Sequence, residues 1–302
     1  MTEENTLPIY IIGNTPTAYL LAAKLMLAEE NVYLINGQDP KDKVYNLSFH
    51  DNTSSQKTYL QIHTCSFMHQ PARMVIFCLD PERINAGLSF FSAAKAQNCP
   101  ILSFCKTIDS LFMGKILQKT IIPAYFNGWL QQEENSLTFY GTPQGIQISI
   151  DEDNFYFSLI QKIMAKTYLK ITFNSDDAQN FWNDFIPNAV NNLFTLEYGP
   201  RLRDIAKKQD LRLAYNDILD ELISIIPDNI DIDKEQLIND TYLAPVNYIP
   251  SILQSVQNNQ SKFLLFLQDT LQKQPVYNTQ AFPFTKKIIT QTLKKLLSSV
   301  ER

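Results

Sequence analysis

A chain of 302 residues with 45% apolar content is long enough for two domains and a substantial core. Its net charge of −5 and the lack of a dense Lys/Arg run argue against a nucleic-acid surface. No apolar run reaches the length of a bilayer span, and Met1 to Thr6 lacks the pattern of a signal peptide, so the expectation is a cytoplasmic protein that does not enter a membrane.

Leu7 to Ile12 reads as a buried strand, Gly13 to Ala18 as a turn, and Thr17 to Glu29 as an Ala- and Leu-rich helix. Asn31 to Ile35 is a second short strand. Strand, turn, helix and strand in this order open a dinucleotide-binding fold. Of the fingerprint G-x-G-x-x-G/A, Gly13 and Ala18 hold the first and third positions, and Thr15 replaces the second glycine. A β-branched side chain there obstructs the close approach of a pyrophosphate. The helix N-terminus still offers N–H groups and a positive dipole end, and Thr15 can turn its hydroxyl toward a phosphate. Gly13, Asn14, Thr15, Pro16, Thr17 and Ala18 are therefore the candidate cofactor contacts. Asn36, at the end of the second strand, can hydrogen-bond a ribose, and Lys41 and Lys43 can reach a 2′-phosphate. Glycine is scarce, 8 in the chain, under half the usual frequency of about 7%.

Val44 to Phe49 and Thr58 to His63 read as strands around a polar hairpin, Asp51 to Ser55. Met74 to Leu79 has the continuous apolar character of a central parallel strand. A helix from Asp80 to Gln97, a strand from Pro100 to Phe104 and a helix from Ile108 to Leu117 follow. Three further strands are expected at Ile121 to Phe126, Ser136 to Tyr140 and Gly145 to Ile150. A helix from Asp153 to Lys166 and a strand from Leu169 to Phe173 complete an α/β, mostly parallel domain, 1–173. Its cysteines, Cys65, Cys78, Cys99 and Cys105, lack disulfide or CxxC spacing and read as free thiols. His63, Cys65 and His69 lie close enough in sequence for a metal, but chance placement on a strand and loop is the stronger reading.

From 174 to 302 the pattern is all-α. Asn174-Ser175-Asp176 caps a helix that Pro187 should kink and Tyr198-Gly199-Pro200 ends. Arg201 to Ile226, Asp233 to Tyr242, Tyr248 to Gln257, Ser261 to Lys273 and Phe284 to Val300 are the remaining helices. On the first of these helices Asp184, Asn188, Asn192 and Thr195 fall within an arc of about 80°. The intervening Phe185, Ile186, Val190 and Leu193 can face a core. A stripe with two carboxamides suits a ligand carrying a carbonyl and a carboxylate; it equally suits a buried polar seam satisfied by neighbouring backbone groups.

An α/β dinucleotide domain followed by a helical domain that opens on this stripe resembles the ketopantoate reductase family. The family pattern K-x-x-x-N-x-x-x-N-x-x-T meets D-F-I-P-N-A-V-N-N-L-F-T here, matching Asn188, Asn192 and Thr195. A second signature, S-S-M-x-Q-D, is matched by Ser251 and Gln254. The resemblance implies a Rossmann-like domain, an all-α C-terminal domain and NADPH-dependent reduction of 2-dehydropantoate to pantoate. It implies substrate contacts from Asn188, Asn192, Thr195 and Ser251, and a cytoplasmic enzyme, with a homodimer as one arrangement. The family's general-acid lysine is Asp184 here, its glutamate falls beside Phe263, and its cofactor-domain asparagine and lysine fall near Lys106 and at Asp80. Either the charge is redistributed, with Lys106 or Lys262 as cation and proton source and Asp184 orienting it, or the fold is kept as a ligand-binding or interaction protein without catalysis.

Overall fold

Ile9–Gly13 (β1) is buried along its whole length, and its alternating side chains serve two separate cores. The computed structural model describes residues 7–37, 44–79, 87–105, 114, 117, 119–199, 201–246, 248, 250, 262–274, 277–278 and 282–300. The chain divides into two compact units, 1–180 and 181–302. In the first, β1 is followed by Pro16–Leu27 (α1), Val32–Ile35 (β2), Val44–Asp51 (β3), Gln56–Thr64 (β4), Met74–Cys78 (β5) and Ile101–Ser103 (β6). Ile122–Glu133 (β7), Ser136–Ile148 (β8), Phe157–Ala165 (α2) and Ile171–Phe173 (β9) complete it.

The sheet order is β3-β4-β2-β1-β5-β6-β7-β8-β9. β1 pairs in parallel with β2 and β5, and the parallel register continues through β6 to β7. β3/β4 and β7/β8 are antiparallel hairpins. β3 also pairs in parallel with β8, from Ser48 opposite Ser136 to Asp51 opposite Phe139, which closes a circuit of eight strands. Where three strands were expected between 121 and 150, two long ones run. Gly141 and Gly145 lie inside β8 with positive φ, bending it without ending its pairing.

The circuit encloses α1, which packs on β1, β2, β4, β5, β7 and β8. Ala18 to Ala23 and Leu25 are all buried, as expected of a helix that is apolar all round. Each buried leucine contributes about 1.5–3 kcal/mol. Lys24 is the exception: its ammonium lies 2.5 Å from the Asp51 carboxylate at the end of β3 and over the rings of Phe49 and Phe139. Asp51 also accepts from the Thr53 N–H at 3.0 Å and the Thr53 hydroxyl at 2.6 Å. Burial alone pushes the Asp51 carboxyl up; the bonds from Lys24 and Thr53 outweigh it and hold the group below its usual 3.8. A second buried carboxylate, Glu30 after α1, is held by Arg73 at 2.6 Å and Lys166 at 2.5 Å, tying α1 to the start of β5 and the end of α2.

The helix expected from Asp80 to Gln97 lies outside the described residues up to 86, and 93–98 form turns. The helices expected at Ile108 to Leu117 and Tyr248 to Gln257 lie largely outside them as well. Among the described residues no helix is long and apolar enough to cross a membrane.

Asp177–Tyr198 (α3) begins in the first unit and runs through the second from Phe181, where it is followed by a short 3-10 turn, Leu202–Ala206. Then come Gln209–Ile223 (α4), Lys234–Tyr242 (α5), Lys262–Gln272 (α6) and Pro283–Val300 (α7). Helix α3 continues through Pro187 for 22 residues, giving up only the bond that a proline cannot donate. The single helix expected over Arg201 to Ile226 is broken instead: the Asp204 carbonyl closes the turn onto the Lys207 and Lys208 N–H groups, and Lys208 is extended before α4 starts. The carboxylate of Glu221 on α4 accepts from the Phe284 and Thr285 N–H groups at 3.0 and 2.8 Å, satisfying free donors at the start of α7.

The fully buried Tyr215 of α4 donates to Asn191 Oδ1 at 3.0 Å and shares a hydrogen bond with Thr241 Oγ1 on α5. Replacing it with phenylalanine keeps the ring, takes the donor from half-buried Asn191 Oδ1 and leaves Thr241 Oγ1 with the Leu237 carbonyl alone. We expect Tyr215→Phe to cost about 1–3 kcal/mol in a urea melt; an unchanged midpoint would mean that water replaces the hydroxyl.

Candidate functional site

The turn between β1 and α1 lies where β1 and β5 end side by side, Gly13 opposite Cys78. Gly13 has φ +145, and a Cβ there would overlap the Cys78 carbonyl. Its glycine is thus required by strand packing, quite apart from any ligand. Thr15 is the N-cap of α1, with φ −77 and ψ 159. Its hydroxyl donates to the Cys78 carbonyl at 3.2 Å and accepts the Ala18 N–H at 3.3 Å. The hydroxyl is therefore turned into the protein and engaged twice, not directed at the space a phosphate would occupy. Pro16 at the first helical position has no N–H. The Thr17 N–H is left as the first-turn donor with no partner among the described residues. The dipole end and one N–H fit an anion, in a narrower cradle than a glycine-rich turn would offer. Asn36 lies half-buried just after β2 and is engaged within the protein; Lys41 and Lys43 lie outside the described residues.

Burial pushes Cys78 well above 9.0, Cys99 up to about 12 and Cys65 up to about 11, so all three stay protonated at neutral pH. His63 lies tilted and His69 edge-on against Tyr33, and Tyr10 hydrogen-bonds His69 Nδ1 at 3.4 Å. Among the described residues no group of His, Cys, Asp or Glu is arranged to hold a metal.

Helix α3 carries the polar stripe. Its first turn is fixed within the first unit. Asp176 accepts the Gln179 N–H at 2.9 Å, and Asp177 accepts from the Tyr125 and Ser149 hydroxyls at 2.8 and 2.9 Å. The buried Asn180 amide donates to Ser149 Oγ and the Asn174 carbonyl. Asn174-Ser175-Asp176 announced the cap; nothing local in the sequence marks Tyr125 and Ser149 as its partners.

Along the stripe, Asp184 and Thr195 are buried and Asn188 is half-buried. Asn188 Nδ2 donates to the Asp184 carbonyl at 2.7 Å and to its carboxylate at 3.2 Å. Thr195 Oγ1 returns to the Asn191 carbonyl at 2.8 Å. Both residues thus satisfy part of their polarity on their own helix. Asn192 differs. It is 5% exposed, and its carboxamide makes no hydrogen bond to any described residue. Its amide atoms are not among the fully buried unpartnered ones of the described residues, which are Gln147 Oε1, Asn216 Oδ1 and Thr285 Oγ1, so it is the open position of the stripe, with two donors and an acceptor to offer. Asn191, one place off the stripe, is the residue that locks α3 to Tyr215, and the spacing gave no sign of it. Lys106 and Ser251 lie outside the described residues, and Lys262 opens α6 with its side chain likewise outside them.

A mostly parallel sheet with the strand–turn–helix opening of a dinucleotide fold, followed by an all-helical unit that begins on a polar-striped helix, defines an α/β protein with a Rossmann-like first unit and an all-α second unit. That fold is the ketopantoate reductase fold. The structure of 2-dehydropantoate 2-reductase from Geobacter metallireducens matches with a TM-score of 0.79 at 14% identity, over 96% of this chain and 100% of that one. A dimeric ketopantoate reductase from Staphylococcus aureus matches with a TM-score of 0.73 at 12% identity, over 97% and 99%. A D-mandelate dehydrogenase solved with NADH and anilino(oxo)acetate matches with a TM-score of 0.76 at 12% identity, also over 97% and 99%. No protein-family profile matches the sequence, and no curated protein sequence does.

Proposed function

We propose that this protein is an NADPH-dependent reductase of a 2-keto acid, with 2-dehydropantoate, reduced to pantoate, as its substrate. The observation that carries the reading is Asn192 on the striped helix of a ketopantoate reductase fold, whose carboxamide makes no hydrogen bond to any described residue. Such an amide can donate to a ketone or carboxylate oxygen and accept from a hydroxyl. Asn188, Thr195 and Ser251 are assigned to the same substrate, and Gly13 to Ala18 with Asn36 to the dinucleotide. When bound, the dinucleotide supplies the hydride. The chain's own residues must orient the keto acid, neutralise its carboxylate and deliver a proton to the ketone oxygen. Lys106 is the first choice for that cation and Lys262 the second, with Asp184 orienting the lysine. The dimeric Staphylococcus aureus reductase and the NADH-bound mandelate dehydrogenase support a homodimer and a nicotinamide cofactor. NADPH over NADH rests on Lys41 and Lys43.

A thermal-shift titration with NADPH, NADH and ketopantoate, each alone, tests the assignment. Ligand at 100 times Kd stabilises the native state by about 2.7 kcal/mol. NADPH and ketopantoate should each raise the melting temperature; no response to either nicotinamide would remove the reductase reading. Thr15→Gly should tighten NADPH binding, because it clears the turn while costing only a few tenths of a kcal/mol of cap. Equal binding by parent and variant would show that Thr15 does not obstruct the site. A second reading, a ligand-binding protein without catalysis, is favoured by Asp184 at the family's lysine position and by the engaged Thr15 hydroxyl.

A further inference from the structure

Beyond the end of α3, in the second unit, the chain builds a cavity of about 220 Å³ lined by Arg201, Arg203, Asp204, Lys207, Pro245 and Val246. The 3-10 turn buries Leu202 and Ile205, at 2% and 1% exposure, and so turns the residues between and beside them outward. Three cations result on one short turn, in a chain of net charge −5. Helix α5 packs against the turn, and the segment after it supplies the apolar wall, with Val246 65% exposed. None of Arg201, Arg203 and Lys207 has a carboxylate within ion-pair distance among the described residues, including Asp204 in the same lining.

Cations gathered round a concave surface without a counter-charge repel one another, and a bound anion relieves that repulsion. Two guanidinium forks match the planar bidentate geometry of phosphate oxygens, and a lysine adds a point charge. The lining carries three positive charges and one negative, which a dianion balances and a monocarboxylate does not. We propose that this pocket binds the phosphate group of a small phosphate monoester, with the ester's carbon chain lying on Pro245 and Val246. Nothing in this assignment rests on the reductase reading: the pocket belongs to the second unit alone, and phosphate binding without reductase activity leaves it standing.

Calorimetric titration of the full chain at fixed ionic strength tests it, with inorganic phosphate, propyl phosphate and butanoate as probes. Propyl phosphate should bind more tightly than inorganic phosphate, and butanoate most weakly. Arg201→Gln and Arg203→Gln, both at exposed positions that do not support the core, should each weaken propyl phosphate about tenfold or more. Asp204→Asn should strengthen it severalfold. Lys208→Gln, a neighbouring exposed cation outside the lining, should leave it unchanged. Absence of heat with either phosphate, or equal weakening by Lys208→Gln and the two arginine variants, would overturn the site. Equal affinity for inorganic and propyl phosphate would overturn the role of the apolar wall.

Discussion

Lys24→Met is expected to destabilise the first unit by about 3–5 kcal/mol, because it leaves the Asp51 carboxylate buried inside the strand circuit without its cation. Methionine retains most of the stem and its packing on Phe49 and Phe139, so the loss reports the charge. The double variant Lys24→Met/Asp51→Leu should lose less than the sum of the two single variants, since no orphaned charge remains. Acid dependence gives an independent check. The Asp51 carboxyl is held below 3.8 in the folded state, so its contribution is present above pH 3.8 and is lost as the pH falls through the lower folded value. Lys24→Met should flatten that part of the acid limb in denaturation profiles recorded against pH. A loss under about 1 kcal/mol would mean that the pair behaves like a surface ion pair.

Gly13→Ala should be as damaging or worse, about 4 kcal/mol or more. The new Cβ would overlap the Cys78 carbonyl, and φ +145 belongs to a region that side chains avoid. The carbonyl cannot retreat freely, because it also accepts from Thr15 and lies in the β1–β5 register. Chemical denaturation or soluble yield would read the effect; a variant of parental stability would contradict the close approach of the two strands. Loss of NADPH binding in Gly13→Ala is therefore no evidence of a phosphate contact, and Thr15→Gly is the informative variant at this turn.

Much of the strand and helix order was legible because it rests on local pattern. Leu7 to Ile12 and Met74 to Leu79 read as buried strands from apolar runs and are strands at Ile9–Gly13 and Met74–Cys78, and the polar stretch Asp51 to Ser55 marked its hairpin, though Asp51 itself ends β3. The helix expected over Asp233 to Tyr242 runs over Lys234–Tyr242, with Asp233 as its cap. What the sequence hid is non-local. Pairing of β3 with β8 joins residues about ninety positions apart and sets Asp51 opposite Phe139, the two groups that the Lys24 ammonium meets. Gly141 and Gly145 looked like strand ends, because a bend and a break share the same residue. The stripe on α3 was visible in its spacing, but spacing cannot say which polar group is already satisfied. Asn188 and Thr195 turn back on their own helix, whereas Asn192 does not. Thr15 reads as a phosphate contact, and its hydroxyl instead caps α1, a role that a threonine before Pro16 also signals.

The most direct measurement is ketopantoate-dependent oxidation of NADPH by the parent chain and by Asn192→Ala, Lys106→Ala and Lys262→Ala. The reductase reading predicts turnover in the parent, a loss on the order of a hundredfold or more in one of the lysine variants, and a loss in kcat/KM in Asn192→Ala. A parent that binds both NADPH and ketopantoate yet oxidises no NADPH would contradict it and leave a ligand-binding protein on a reductase fold.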